Sequence, residues 1–103
     1  MTAAVSGLNA HVLVLNRLWM AVRVTSARRA FSLLARDLAE VIHVDDGSYT
    51  AFDFDSWADL SDLRESMAQG IVGPAHQREK YDWVRTVSTE IAVPKVIRLL
   101  GND

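Results

Sequence analysis

A stripe of apolar residues with helical spacing is the feature that most constrains the fold of this chain. Its members recur on one side of a helix, at Ala27, Ala30, Phe31, Leu34 and Leu38. Thr25 or Ser26 offers a hydroxyl group that can cap the first turn. The spacing therefore predicts an amphipathic helix that begins near residue 27 and turns its apolar side toward the core.

Strand-like segments lie on both sides of this helix, in pairs. Residues 11–15 are rich in β-forming residues, and after a short turn residues 22–24 return as a second strand. Residues 40–44 and 49–53 flank an Asp-Gly pair at positions 46 and 47, which is a strong signal for a tight hairpin turn. Both pairs predict antiparallel hairpins.

A second helix is predicted after the second hairpin. Asp53 or Asp55 can cap it, and Gly70 is a plausible end. Its apolar side comprises Trp57, Leu60, Leu63 and Met67.

The last third of the chain is loop-like at first and then extended. Residues 73–80 are polar, and residues 83–91 alternate in the manner of one strand. The segment from Val93 to Leu100 is also extended, and Pro94 indicates that it forms a sheet edge or contains a bend.

This order of elements predicts a single α+β domain over residues 1–103, with a small, largely antiparallel sheet and two helices. A chain of 103 residues, half of them apolar, can build one modest core. We expect these inward positions to be buried: Val14, Phe31, Leu34, Val41, Trp57, Leu60 and Val87. An aromatic set invites a base-stacking interpretation, but a place in the core is favoured for it: Trp19, Phe31, Phe52, Phe54, Trp57 and Trp83.

The residues that usually carry catalysis or bind metals form no recognisable pattern. There are no cysteines, and His11, His43 and His76 lie more than thirty positions apart. Asp53 and Asp55 could hold magnesium as an i, i+2 pair, but helix capping is the favoured interpretation. We therefore expect no catalytic residues, no metal site and no cofactor.

The N-terminal residues and the apolar runs point to no membrane association. The first seven residues lack a basic region, and no apolar run approaches the roughly 18 residues of a membrane span. A cytoplasmic protein is expected.

Basic residues are concentrated in one part of a chain whose net charge is −2. Residues 17–37 contain one acid, Asp37, and five arginines: Arg17, Arg23, Arg28, Arg29 and Arg36. Arg28 and Arg29 fall in the first turn of the predicted helix, where the helix dipole disfavours each cation by roughly 0.3 to 1 kcal/mol. If the chain binds a phosphate or another anion, the predicted site is the N-terminal end of this helix. Arg28 and Arg29 form its centre, Arg23 is close by, and Arg17 and Arg36 lie at the margin. The favoured alternative is that these side chains reach solvent or pair with downstream acids such as Asp45, Asp46, Asp53 and Asp55.

The run from Val12 to Phe31 resembles the opening of the bacterial HNH endonuclease family. The similarity continues at residues 38–42, 49–57 and 83–100, and it covers about nine-tenths of the chain. Leu18 replaces a usual small polar residue and Ala21 a usual proline, which implies a looser first turn. In the family, the cysteine pairs and catalytic residues follow the position of Leu100. Only three residues follow Leu100 here, so we expect no DNA cleavage by this chain unaided.

Three classes of function are consistent with these observations. The first is a non-catalytic, nucleic-acid-associated or scaffold module related to HNH endonucleases. The second is a protein-interaction or regulatory module that pairs with a partner or with itself through the edge from Val93 to Leu100. The third is a complete small enzyme. The resemblance places the first class ahead of the other two.

Overall fold

A mixed five-stranded sheet forms the centre of the computed structural model, which describes residues 7–101. The strands are β1 (His11–Leu15), β2 (Ala21–Ser26), β3 (Ala39–Asp45), β4 (Ser48–Phe52), β5 (Trp83–Arg85), β6 (Glu90–Ala92) and β7 (Val96–Leu99). The helices are α1 (Ala27–Ala35), α2 (Phe54–Leu60) and α3 (Leu63–Gln69), with single 3-10 turns at Pro74–His76 and Arg78–Lys80. This arrangement confirms the predicted α+β class.

The strand order is β2-β1-β7-β3-β4, and β5 pairs with β6 in a separate two-stranded sheet. All strand pairs are antiparallel except β1 with β7. The prediction that the segment from Val93 to Leu100 forms an edge is wrong, because β7 is hydrogen-bonded to β1 on one side and β3 on the other. Pro94 precedes the strand, so its missing N–H group does not interrupt the ladder.

The core lies between one face of the large sheet and the helices. Val12 and Val14 of β1, and Ile97 of β7, are fully buried there. Helices α1 and α2 supply Leu34, Trp57 and other buried residues to the same cluster. No helix in the described part of the chain is long and apolar enough to cross a membrane.

The first helix begins as predicted and ends earlier than predicted. The hydroxyl oxygen of Ser26 accepts a hydrogen bond from the Arg29 N–H group at 3.3 Å, which confirms Ser26 as the N-cap. The helix ends at Ala35, and Asp37 adopts a positive φ of 58° that redirects the chain toward β3. Leu38 therefore lies outside the helix and is exposed, contrary to its place in the predicted stripe.

The second predicted helix is in fact two helices. The side chain of Asp62 accepts hydrogen bonds from the N–H groups of Arg64 and Glu65, and this capping interaction starts α3 in a new direction. As a result, Leu63 and Met67 are exposed instead of sharing the buried side of Trp57. Gly70 ends α3 in the left-handed conformation, as predicted.

Residues 83–91 form a hairpin rather than the single strand that their alternation predicted. Thr86 and Thr89 are joined by backbone and side-chain hydrogen bonds that close the turn between β5 and β6. Val87 lies at the tip and is fully exposed, so its predicted burial is wrong. Phe31 is only partly buried, with its ring edge-on to Phe54 at 6.1 Å. The other predicted core residues are confirmed: Val14, Leu34, Val41, Trp57 and Leu60.

Candidate interaction surface

The face of the large sheet opposite the core is not covered by any helix of residues 7–101. Since Val12 and Val14 point into the core, Leu13 points the other way, and so does Val24, its partner on β2. On β3 and β4 the cross-strand pair Val44 and Tyr49 lies on the same outer face. The exposed fractions are 36% for Leu13, 59% for Val24, 63% for Val44 and 57% for Tyr49. We refer to these four residues as the outer sheet face.

An ion pair neutralises the charge in the middle of this surface. Arg98 of β7 and Glu40 of β3 are cross-strand neighbours, and the Arg98 Nη1 and Glu40 Oε2 atoms are 3.0 Å apart. Both side chains are mostly buried. Because the two charges cancel, the centre of the outer face offers little attraction to an anionic polymer such as DNA.

The turn between β1 and β2 folds against the outer sheet face. The Asn16 Oδ1 atom accepts hydrogen bonds from the N–H groups of Leu18 and Met20 at 2.9 and 3.0 Å. The guanidinium of Arg98 donates to the Arg17 carbonyl oxygen and lies 4.6 Å from the centre of the Trp19 ring. We call residues 16–20 the Trp19 turn.

Trp19 occupies a strained position at the tip of this turn. Its φ is +71°, a region that bulky side chains rarely adopt. The Trp19 ring packs on Tyr49 with 4.7 Å between centroids, yet 41% of the residue is exposed, so its predicted place in the core is wrong. Leu18 and Met20 on either side are also exposed. The turn thus presents three consecutive large apolar residues, held rigidly by Asn16 and Arg98.

The five arginines of the predicted anion site do not gather at one place. Arg28 and Arg29 lie side by side in the first turn of α1, and both are exposed. Arg36 is the C-cap at the opposite end of that helix, about 11 Å away at 1.5 Å per residue. Arg17 lies in the Trp19 turn, and Arg23 lies on β2 opposite Val14.

The N-terminus of α1 has little free hydrogen-bonding capacity for an anion. The Ala27 N–H group donates to the Ala10 carbonyl oxygen at 2.8 Å, and the Arg29 N–H group donates to Ser26. Two of the first three amide groups therefore have acceptors within the chain. The guanidinium groups of Arg28 and Arg29 form no ion pair with any residue from 7 to 101. Anion binding by this pair stays a prediction.

The acidic residues near α2 have a structural role. The Asp53 Oδ1 atom accepts a hydrogen bond from the Ser56 N–H group at 2.8 Å, which confirms the predicted capping role of Asp53. The hydrogen bonds from Ser56 hold the pKa of Asp53 below its ordinary value. Within residues 7–101, no group of three or more histidine or acidic side chains is arranged to hold a metal ion.

Most of the chain matches a known family of domains. Residues 12–102 match a family model described as "HNH endonuclease-associated, N-terminal domain". No curated protein and no solved structure matches the chain.

Proposed function

This chain belongs to the family of HNH endonuclease-associated N-terminal domains, and from that premise we propose that it is a scaffold that holds an HNH endonuclease segment through protein contact. One observation carries the proposal: the outer sheet face and the Trp19 turn present exposed apolar side chains that no described helix covers. Large exposed apolar patches on a folded domain are typical of interaction sites.

The chemistry of this surface favours a protein partner over DNA. Binding to DNA depends mainly on cations that neutralise phosphates, whereas the outer sheet face consists of aliphatic and aromatic side chains. Its central cation, Arg98, is already paired with Glu40. The Trp19 and Tyr49 rings are the kind of rigid aromatic residues that dominate the binding energy of protein interfaces.

A binding experiment with a matched pair of variants tests the scaffold role. The partner is the catalytic HNH segment of a family protein in which a domain of this kind precedes it, expressed separately and titrated calorimetrically. We expect Val24→Glu to weaken binding at least tenfold, because the contact would bury an unpaired carboxylate. Val87→Glu makes the same change at the exposed tip of the β5–β6 hairpin and should leave affinity unchanged.

Three outcomes would contradict the proposal. The first is the absence of any complex with the catalytic segment. The second is an equal loss of affinity in the Val24→Glu and Val87→Glu variants. The third is a dimer of this chain, detected by sedimentation and abolished by Val24→Glu, which would make a second copy the occupant of the outer sheet face.

Nucleic-acid association remains a second candidate because Arg28 and Arg29 lie adjacent and exposed. Two guanidinium groups at one helix end can contact neighbouring phosphates, with Arg23 a few residues upstream. Arg17 and Arg36 would contribute only at the margin, since they lie elsewhere on the molecule. The salt dependence of DNA binding tests this candidate.

A further inference from the structure

A small pocket lies where β3 and β7 separate. These strands pair from Ala39 and Leu99 as far as Val41 and Ile97, and the chain before β7 then leaves the sheet at Pro94. The pocket that opens there has a volume of about 160 Å³, and Ile42 and Val96 are among the strand residues that line it. It lies at the opposite end of β3 from Glu40, and Val44 is the one residue of the outer sheet face that also lines it.

Three aromatic rings form the walls of the pocket. Trp57 is 1% exposed, and its indole N–H group donates to the Ala92 carbonyl oxygen at 2.8 Å, so the ring is fixed in position. The rings of His43 and Tyr81 lie 5.8 and 6.3 Å from the Trp57 ring, between centroids, and both line the cavity. Such walls favour a flat occupant that can pack against π-faces.

The size of the pocket matches a single ring. A cavity of about 150 Å³ is known to hold one benzene molecule, and the volume here is about 160 Å³. A benzene or pyrimidine ring would fill this volume, and a larger ring system would extend beyond it.

Polar groups at the rim indicate a negative charge on the occupant. The Lys95 Nζ atom lies 4.8 Å from the centre of the Tyr81 ring, and within residues 7–101 it forms no ion pair with a carboxylate. The His43 imidazole has no hydrogen-bond partner in the same part of the chain. Burial, together with the negative charge of Asp45, raises the pKa of Tyr81, which keeps its hydroxyl group protonated and able to donate. The anionic group would therefore lie on the Lys95 side, away from Asp45.

We propose that this pocket binds one planar six-membered ring that carries a carboxylate or a phosphate group. The ring lies between His43 and Tyr81, with the buried Trp57 at the base of the pocket, and the anionic group contacts Lys95. An aromatic carboxylic acid and a pyrimidine nucleotide share this chemistry, and the two sources can be distinguished by direct titration.

Nuclear magnetic resonance of the whole chain provides the test. The protein is titrated separately with benzoate and with thymidine 5′-monophosphate while the Trp57 indole N–H signal is followed. We expect a saturable shift with at least one of them, and the stronger binder identifies the source. Lys95→Gln should weaken that binding about tenfold, since a charge-assisted hydrogen bond is lost. Lys80→Gln removes a lysine next to Tyr81 but outside the pocket, and it should have no effect.

Four results would overturn the proposal. The first would be that neither compound shifts the Trp57 signal at millimolar concentration. The second would be an equal loss of affinity in the Lys95→Gln and Lys80→Gln variants. Cyclohexanecarboxylate binding as well as benzoate would show that a planar ring is not required. Inorganic phosphate shifting the signal as much as the nucleotide would show that no ring is required.

Discussion

Replacement of Trp57 by phenylalanine gives a direct test of the packing described above. Trp57→Phe removes the indole N–H group and leaves the buried Ala92 carbonyl oxygen without its donor. An orphaned buried acceptor costs about 1–3 kcal/mol. The smaller ring also leaves a gap in a core that includes Phe52, whose ring lies 6.1 Å from that of Trp57. We expect a loss of about 3 kcal/mol in unfolding free energy.

The measurement is thermal and urea unfolding followed by circular dichroism. For a domain of this size, a loss of 1 kcal/mol lowers the melting temperature by about 4–8 °C, so Trp57→Phe should lower it by about 12–24 °C. Trp83→Phe is the matched control. The Trp83 indole donates to the Arg78 carbonyl oxygen at 3.1 Å in an exposed setting, where water can replace the bond. That variant should lose about 1 kcal/mol or less. Equal losses in the two variants, or a loss below 1 kcal/mol for Trp57→Phe, would refute the reasoning.

Four further predictions concern charge and activity. Glu40→Gln should lower the unfolding free energy measured in urea by about 1–2 kcal/mol, a value between those typical of exposed and buried ion pairs. Glu79→Gln, at an exposed turn, should leave the unfolding free energy unchanged. Because hydrogen bonds from Ser56 hold the folded-state pKa of Asp53 below its ordinary value, the stabilising effect of this carboxylate is present above the ordinary pKa and is lost as the pH falls through the folded pKa. Asp53→Asn should therefore flatten the acid limb of a stability–pH curve relative to the unaltered chain, and identical curves would exclude this contribution. If the chain binds DNA, joint replacement of Arg28 and Arg29 by glutamine should lower the slope of log affinity against log salt concentration, measured by gel shift, by about two. The same replacement should slightly stabilise α1, because two cations are removed from its N-terminal end. DNA affinity that survives the double replacement would show that these two arginines are not the binding site. Incubation of the protein with supercoiled plasmid and magnesium, manganese or zinc should yield no cleavage. Nicking that disappears in a His11, His43 or His76 variant would show that the chain cuts DNA.

Local signals in the sequence predicted the local structure well. The Asp-Gly pair predicted the β3–β4 hairpin, and Ser26 and Gly70 marked helix ends that the structure confirms. Each of these features depends on residues within a few positions of one another. Such interactions can be derived from the sequence without knowing the rest of the fold.

The errors arose where two local signals competed or where the partner lay far along the chain. Asp53 caps α2 and Asp62 caps α3, and the two aspartates are equally good helix caps. The apolar spacing runs through both helices, so the sequence predicted one continuous helix. The β5–β6 turn contains neither glycine nor proline, so the alternation of residues 83–91 concealed it. The central place of β7 depends on pairing with β1, which lies more than eighty residues earlier, and no local pattern encodes it.

The same limit applies to the candidate sites. The sequence drew attention to the arginines because charge is visible residue by residue. It did not reveal the outer sheet face, because exposure of Val24 and Val44 depends on which side of the sheet the helices occupy. The sequence also did not predict the pocket at Trp57, because this pocket forms only where Lys95 and Tyr81 meet β3 in the folded chain.

The central position of β7 has a consequence for how the protein is made. During synthesis the β1–β2 and β3–β4 hairpins emerge early and can each close by local contacts, yet they are not neighbours in the finished sheet. Until Val96–Leu99 leaves the ribosome, β1 and β3 each present an unpaired edge. Nascent chains that stall before β7 should therefore be prone to aggregate or to recruit chaperones. Once the four residues of β7 are added, they join the two hairpins into one sheet in a single step.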